Sequence, residues 1–120
     1  MKLLLTGGTG YIGSHAAIKF HGVGHQVFLF DNLSNSRKEV LLNLEEITGK
    51  SFPFIEGDIR DTDLLIRSLE SNRIEGVIHF AGLKAVGESM ENPLSYFDNN
   101  VSGSISLLKA MDACKVNFLV

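Results

Sequence analysis

The stretch Leu3-Leu4-Leu5-Thr6-Gly7-Gly8-Thr9-Gly10-Tyr11-Ile12-Gly13 decides the fold. A short apolar run gives way to a glycine-rich turn, and the turn to a helical pattern. The glycines satisfy G-x-G-x-x-G through Gly8, Gly10 and Gly13, and G-x-x-G-x-x-G through Gly7, Gly10 and Gly13. In either frame one glycine makes the tight turn, one lets the backbone approach a diphosphate, and Gly13 lets the helix pack close to the strand. The N-terminus of that helix offers unpaired N–H groups and a positive dipole end to an anion. Placed directly after the first strand of a βαβ unit, the string is a strong phosphate-binding signal. The alternative phosphate loop fails on its letters: Ser14-His15 follows Gly13 where Lys and then Ser or Thr are needed. Gly49-Lys50-Ser51 has the ending of such a loop, but Leu44 stands where its opening glycine belongs.

Outward from this turn the same unit repeats. Leu3 to Leu5, Val27 to Phe30, Phe52 to Ile55, Val77 to Phe80 and Val116 to Val120 are continuous apolar runs, the pattern of strands covered on both faces. Helical spacing fills the intervals. The first helix is expected from Tyr11, with Ile12, Ala16 and Phe20 on one face, ending at Gly22 and Gly24. Ser36 and Glu39 form a capping-box pattern for a second, bearing Val40, Leu41, Leu44 and Ile47 and closed by Gly49. Asp61 caps a third through Leu64, Leu65 and Leu69. Asn92-Pro93 opens a fourth, whose apolar residues Leu94, Phe97, Val101, Ile105 and Leu108 step by three or four. Alternating strands and helices predict right-handed crossovers and an α/β, Rossmann-like doubly wound parallel sheet. Pro53, in the third run, belongs on a sheet edge, which agrees with strand order 3-2-1-4-5 ending at the fifth strand.

Composition narrows the function classes. Eleven Lys and Arg against fourteen Asp and Glu give a net charge of −3, so no broad basic field attracts nucleic acid or an anionic membrane. Apolar residues at 44% and charged ones at 21% support one ordinary core, residues 1–120 forming a single domain. One cysteine, Cys114, excludes a disulfide framework and a Cys-rich zinc site. The N-terminal apolar run stops after three residues, short of a signal peptide, and the expected location is the cytoplasm. His21 and His25 are separated by helix-breaking glycines, so no metal site is expected from them. His79 reads as a satisfied histidine in a buried strand, and Cys114 as a reduced, partly buried thiol. No serine sits in G-x-S-x-G.

Asp31 closes the second strand eighteen residues after Gly13, near the spacing of about 20 at which an acid binds the adenosine ribose diol. A carboxylate there accepts from the 2′-hydroxyl and repels a 2′-phosphate, favouring NAD over NADP. Arg37 and Lys38, which would argue for the phosphate form, fall in the expected first turn of the second helix and read as solvated.

With Asp31-Asn32-Leu33 and Gly57-Asp58-Ile59-Arg60, the glycine turn resembles that of the extended short-chain dehydrogenase/reductase family acting on nucleotide sugars. The string His79-Phe80-Ala81-Gly82-Leu83-Lys84-Ala85-Val86-Gly87-Glu88-Ser89 is similar to that of its 4-epimerases of UDP-glucose and UDP-galactose, and the likeness runs through Asp98-Asn99-Asn100-Val101. The resemblance implies that Gly7, Gly10, Tyr11 and Ile12 line a pyrophosphate, that Asp31 and Asn32 hold the adenosine ribose with Asn35 nearby, and that Asp58 and Ile59 flank the adenine. It also implies that Phe80, Ala81, Gly82 and Lys84 run beside the phosphates and nicotinamide ribose, while Asn99 reaches the cofactor from the fourth helix. In that family a tightly held NAD takes a hydride from C4 of a UDP-sugar and returns it to the other face, aided by a Tyr-x-x-x-Lys pair. Here His15 follows Tyr11 and Asn100 follows Tyr96 at the lysine position. No catalytic residue is therefore assigned, the catalytic segment is expected beyond Val120, and these residues alone are expected to be inactive. The family also pairs helices of this region across a homodimer, so self-association through residues 93–114 is expected, with Gly103 providing close approach. Two rival readings are another nucleotide-sugar dehydratase or epimerase on the same frame, and a non-catalytic dinucleotide sensor.

Overall fold

Leu3, Leu4, Leu5 and Thr6 are all buried, because the strand that carries them lies at the centre of the sheet with helices on both sides. The computed structural model describes residues 1–120. Five parallel strands, β1 (Lys2–Thr6), β2 (Gln26–Asp31), β3 (Phe54–Glu56), β4 (Gly76–His79) and β5 (Phe118–Leu119), lie in the order β3-β2-β1-β4-β5. Pro53 directly precedes the edge strand β3, whose neighbour on the inner side is β2.

Successive residues along each strand serve opposite layers. Leu3, Leu5, Val27, Leu29 and Ile78 pack with Ala17 of α1 (Tyr11–Gly22) and Leu44 of α2 (Glu39–Thr48). Leu4, Phe28, Phe30 and Val77 pack with Leu65 and Leu69 of α3 (Thr62–Asn72) and Leu107, Ala110 and Met111 of α6 (Gly103–Ala113). This is the doubly wound α/β architecture that the apolar runs predict.

Several local expectations are corrected. On α1, Ala16 and Phe20 pack partly buried against the core as expected, but the fully buried residues are Gly13 and Ala17, and Ile12 is 53% exposed at the helix start. Ser36 does not cap α2, which begins behind Lys38 with no side-chain cap. Its hydroxyl instead donates to Asp31 Oδ1 at 3.2 Å and shares a 2.7 Å hydrogen bond with Thr9 Oγ1. A largely buried carboxylate is a stronger acceptor to serve than a solvated helix end. Arg37 and Lys38 accordingly precede the helix instead of opening it; Lys38 lies 3.9 Å from Glu56 on the surface.

The expected fourth helix is three pieces preceded by an unforeseen one. After α4 (Val86–Glu91) come α5 (Pro93–Phe97), a π turn (Asp98–Ser102) and α6. Asn92 caps α5 by accepting from Ser95 N, with Pro93 in the first turn, as the sequence predicts. The π turn brings Asn100 inward, where its amide brackets Leu83: Leu83 N donates to Oδ1 at 2.8 Å and Nδ2 donates to Leu83 O at 2.9 Å. Beyond it the buried residues are Gly103, Leu107, Ala110 and Met111, whereas Leu94, Phe97, Val101, Ile105 and Leu108 all face solvent. Gly103 faces the molecule's own interior, since a Cβ there would sit 2.5 Å from Ile59 Cδ1. Its close approach is intramolecular.

Candidate functional site

β1 and β4 are hydrogen-bonded neighbours, and the chains leaving their carboxyl ends diverge. A crevice of about 410 Å³ opens there, at the point where the strand order reverses and ligands bind in doubly wound sheets. Fourteen of the fifteen residues singled out from the sequence line it. One wall is the β1–α1 turn, with Gly7, Gly10, Tyr11, Ile12 and Gly13. A second follows β2, with Asp31, Asn32 and Asn35. A third follows β4, with Phe80, Ala81, Gly82 and Lys84. Ile59 and Asn99 complete the lining. Asp58 alone does not reach it.

The turn distinguishes between the two glycine frames. Gly7 has φ +65° and lines the crevice; a Cβ on it would lie 2.7 Å from Ala81 N and 2.8 Å from the Phe80 carbonyl carbon. Gly8 points away, against Leu5 O and the Leu29 side chain. Gly10 N donates to Gly7 O at 3.0 Å, and a Cβ on Gly13 would overlap that same carbonyl oxygen. At Gly7 and Gly13 a methyl group would force backbone apart. The N-terminus of α1 has no side-chain cap and no acid in its first turn. By contrast, Asp61 caps α3, accepting from Leu64 N at 2.9 Å. The uncapped N–H groups leave an anion site where the dipole is positive.

Asp31 is 9% exposed and organises the second wall. Oδ1 accepts from Leu33 N at 2.9 Å and from the Ser36 hydroxyl, while Oδ2 accepts only from Thr9 N at 3.1 Å. Two carboxylate oxygens offer about four acceptor positions, so Oδ2 retains capacity for a further hydroxyl donor. Arg37 is exposed and does not line the crevice.

Asp58 works one step behind. Arg60 grips it through Nε at 2.9 Å and the NH2 nitrogen at 2.7 Å, and Asn32 Nδ2 donates to Oδ2 at 3.3 Å. The Arg60 hydrogen bonds hold its carboxyl at about 2, against an ordinary 3.8. Arg60 also reaches Asp98 at 2.5 Å, joining the loop after β3 to the π turn, and the two carboxylates push its guanidinium higher still. Asp58 thus fixes Asn32, which does face the crevice.

Sequence reasoning missed Phe30, Ser34, Ser36, Gly57, Leu83 and Ala85 as lining residues. Gly57 had a signal: it follows β3 as Gly7 follows β1, and a Cβ there would meet Leu64 and Phe30. Ser36 carried none that separated it from a helix cap. A crevice with a dipole-lined anion end, an acid with spare acceptor capacity and an apolar wall at Ile59 suits a nucleotide.

Comparison with known proteins gives the same direction. Residues 4–119 match the family model described as GDP-mannose 4,6 dehydratase. The chain is 56% identical over 110 residues to the UDP-glucose 4-epimerase of Neisseria meningitidis serogroup B, covering 92% of this chain and 32% of that protein. It is 52% identical over 120 residues to a UDP-glucose 4-epimerase of Klebsiella pneumoniae, covering 99% of this chain and 86% of that one. It superposes with a TM-score of 0.98, at 46% identity, on the crystal structure of UDP-glucose-4-epimerase from Stenotrophomonas maltophila with bound NAD and formylated UDP-arabinopyranose, covering 99% of this chain and 35% of that chain. The chain therefore spans about a third of the length of most of the curated relatives it matches.

Proposed function

Since the chain belongs to the GDP-mannose 4,6 dehydratase family, we propose that residues 1–120 are the NAD-binding part of a UDP-glucose 4-epimerase. The observation that carries this reading is the pairing, in one crevice, of the uncapped N-terminus of α1 with the Asp31 carboxylate and its spare Oδ2 acceptor. The first suits a diphosphate bridge and the second a ribose diol. The negative charge of the Asp31 carboxylate, which would repel a 2′-phosphate, favours the dinucleotide that lacks one. Bound there, the nicotinamide would accept a hydride from the sugar carbon that bears the reacting hydroxyl and would return it to that carbon. The residues of this chain bind and orient: the Gly7–Gly13 turn admits the diphosphate, Asp31 and Asn32 take the ribose, Ile59 offers an apolar face, and Ala81 and Gly82 permit close approach opposite Gly7. Proton transfer is not assigned to either tyrosine, because neither has its lysine four residues on. The 120 residues alone are therefore expected to convert no UDP-galactose.

Epimerases at 46–56% identity support this reading over a dehydratase on the same frame. A homodimer through residues 93–114 belongs to the proposal, supported by the exposed apolar line Leu94, Phe97, Val101, Ile105 and Leu108. So does a cytoplasmic location; no helix is long and apolar enough to cross a membrane. Thermal unfolding with added NAD or NADP tests the cofactor assignment. At a hundredfold excess over Kd, NAD is expected to stabilise the chain by about 2.7 kcal/mol, with NADP giving less. No stabilisation by millimolar NAD, or a larger effect of NADP, refutes it.

A further inference from the structure

His79 lies at the end of β4, directly beside Thr6 in the β1–β4 register, and on the side of the sheet covered by α6. Its two ring nitrogens are both engaged: Nδ1 with Thr6 Oγ1 at 2.6 Å and Nε2 with Ser104 Oγ at 3.1 Å. The proton positions follow from elimination. Ser104 Oγ lies 2.6 Å from Asn100 O, a carbonyl that only accepts, so the one serine hydrogen goes there. Ser104 must then accept from Nε2–H. In a neutral ring Nδ1 is left as an acceptor, so Thr6 donates its hydroxyl hydrogen to it and uses a lone pair to accept from Ala81 N at 3.3 Å.

We propose that His79 is a positioning residue for the crevice: as the neutral Nε2–H tautomer it completes a one-way hydrogen-bond relay, Ala81 N–H to Thr6 to His79 to Ser104 to Asn100 C=O. The relay begins in one crevice wall and ends in the π turn that supplies another, since Ala81 and Asn99 both line the crevice. Asn100, at the far end, also clamps Leu83 through its side chain. The loop after β4 is thereby tied to the π turn at both of its sides. Protonating His79 turns Nδ1 into a second donor. Thr6 is 0% exposed, and its hydroxyl hydrogen then loses its acceptor. Thr6 faces the ring from β1, Ser104 from α6 and Lys84 from the loop after β4; of these only Lys84 is charged. Burial, and then that cation, push the imidazole below its ordinary value, which keeps the ring neutral.

The relay exists without a ligand, so it is tested on the free 120-residue chain independently of the cofactor reading. Long-range ¹⁵N–¹H correlation of the imidazole nitrogens, assigned with His79→Gln, is expected to give the Nε2–H tautomer at pH 7.5. Ser104→Ala removes both the acceptor for His79 and the donor to Asn100; Leu83 amide exchange is expected to quicken by about tenfold, the loss of roughly one hydrogen bond. Ser104→Thr keeps the hydroxyl and is expected to restore protection. In the wild type the same quickening is expected as pH falls below the ordinary histidine value of about 6.5, after correction for intrinsic exchange. In His79→Asn, which has no titratable ring, that pH response is expected to vanish. An Nδ1–H tautomer, or Leu83 protection unchanged in a folded Ser104→Ala, overturns the proposal. Failure of NAD to bind while these results hold overturns the cofactor reading and leaves the relay standing.

Discussion

Gly7 and Gly49 have nearly the same backbone conformation, φ +65° and +68°, in opposite surroundings. A Cβ on Gly49 would meet nothing within 4 Å, whereas one on Gly7 would lie 2.7–2.9 Å from three backbone atoms of Phe80 and Ala81. Substituting alanine at both therefore separates the two reasons for a glycine. The left-handed conformation costs a non-glycine residue about 1–2 kcal/mol, and Gly49→Ala is expected to lose only that. Gly7→Ala loses the same amount and must also part the ends of β1 and β4, where Phe80 N donates to Thr6 O at 3.0 Å. No side chain can rotate aside to relieve this overlap. Overpacking of that kind costs about 1–3 kcal/mol, giving a total of about 2–5 kcal/mol and a Tm loss near 4 °C per kcal/mol. Urea unfolding, with unchanged slope as the check on two-state behaviour, measures both differences. Gly24→Ala, at φ +90° with open space around it, is a second control. Equal losses at Gly7 and Gly49, within about 0.5 kcal/mol, would refute the claim that the turn exists to bring backbone against backbone. Dinucleotide affinity is expected to fall in Gly7→Ala and to stay unchanged in Gly49→Ala.

Two further outcomes follow. Asp58 is held at about 2 in the folded protein against 3.8 unfolded, so its contribution is present above pH 3.8 and is lost as pH falls from there toward 2. Because Arg60 is 44% exposed, solvent screening reduces the contribution to about 1 kcal/mol; Asp58→Asn is expected to lose that much at pH 7 and to flatten acid unfolding in this range, and a variant as acid-sensitive as the wild type would count against the Arg60 grip. Phe97→Asp combined with Ile105→Asp places charge in the exposed line on α5 and α6, and light scattering is expected to show a dimer reduced to monomer with the fold intact by circular dichroism. A monomeric wild type, or an unchanged mass in the variant, removes the proposed interface.

The sheet was legible because its signal is redundant. Leu3–Leu5, Val27–Phe30 and Val77–Ile78 are apolar on both faces, and only a central position in a covered sheet accommodates that. The site was legible where a residue type is forced by geometry, as at Gly7 and Gly13, or by charge, as at Asp31. Two of the misread positions share a cause: a residue was assigned to its local element when a distant partner held it. Ser36 matches a capping box, yet the carboxylate of Asp31 takes its hydroxyl. Gly103 sits in a helical pattern that suggested an outer surface, but Ile59 fills the space above it. The π turn is invisible to a period of 3.6, because the one extra residue that turns Asn100 toward Leu83 shifts the apolar count without breaking it. Asp58 stands in the motif with Ile59, yet Arg60, two residues on, draws its side chain out of the crevice.

The leucines of β1 raise a question of alignment that their own chemistry cannot answer. Leu3, Leu4 and Leu5 are identical and alternate between two greasy layers, so sliding the strand by one position would still put leucine above and leucine below. The three leucines are indifferent to the slip; the polar residues at the two ends of the strand, Lys2 and Thr6, are not. A displaced Thr6 would carry its hydroxyl into a leucine slot away from His79 and Ala81, and an unmade buried hydrogen bond costs about 1–3 kcal/mol. The middle of the domain is thus glued by its oily residues, while its polar ends, Thr6 among them, set the alignment.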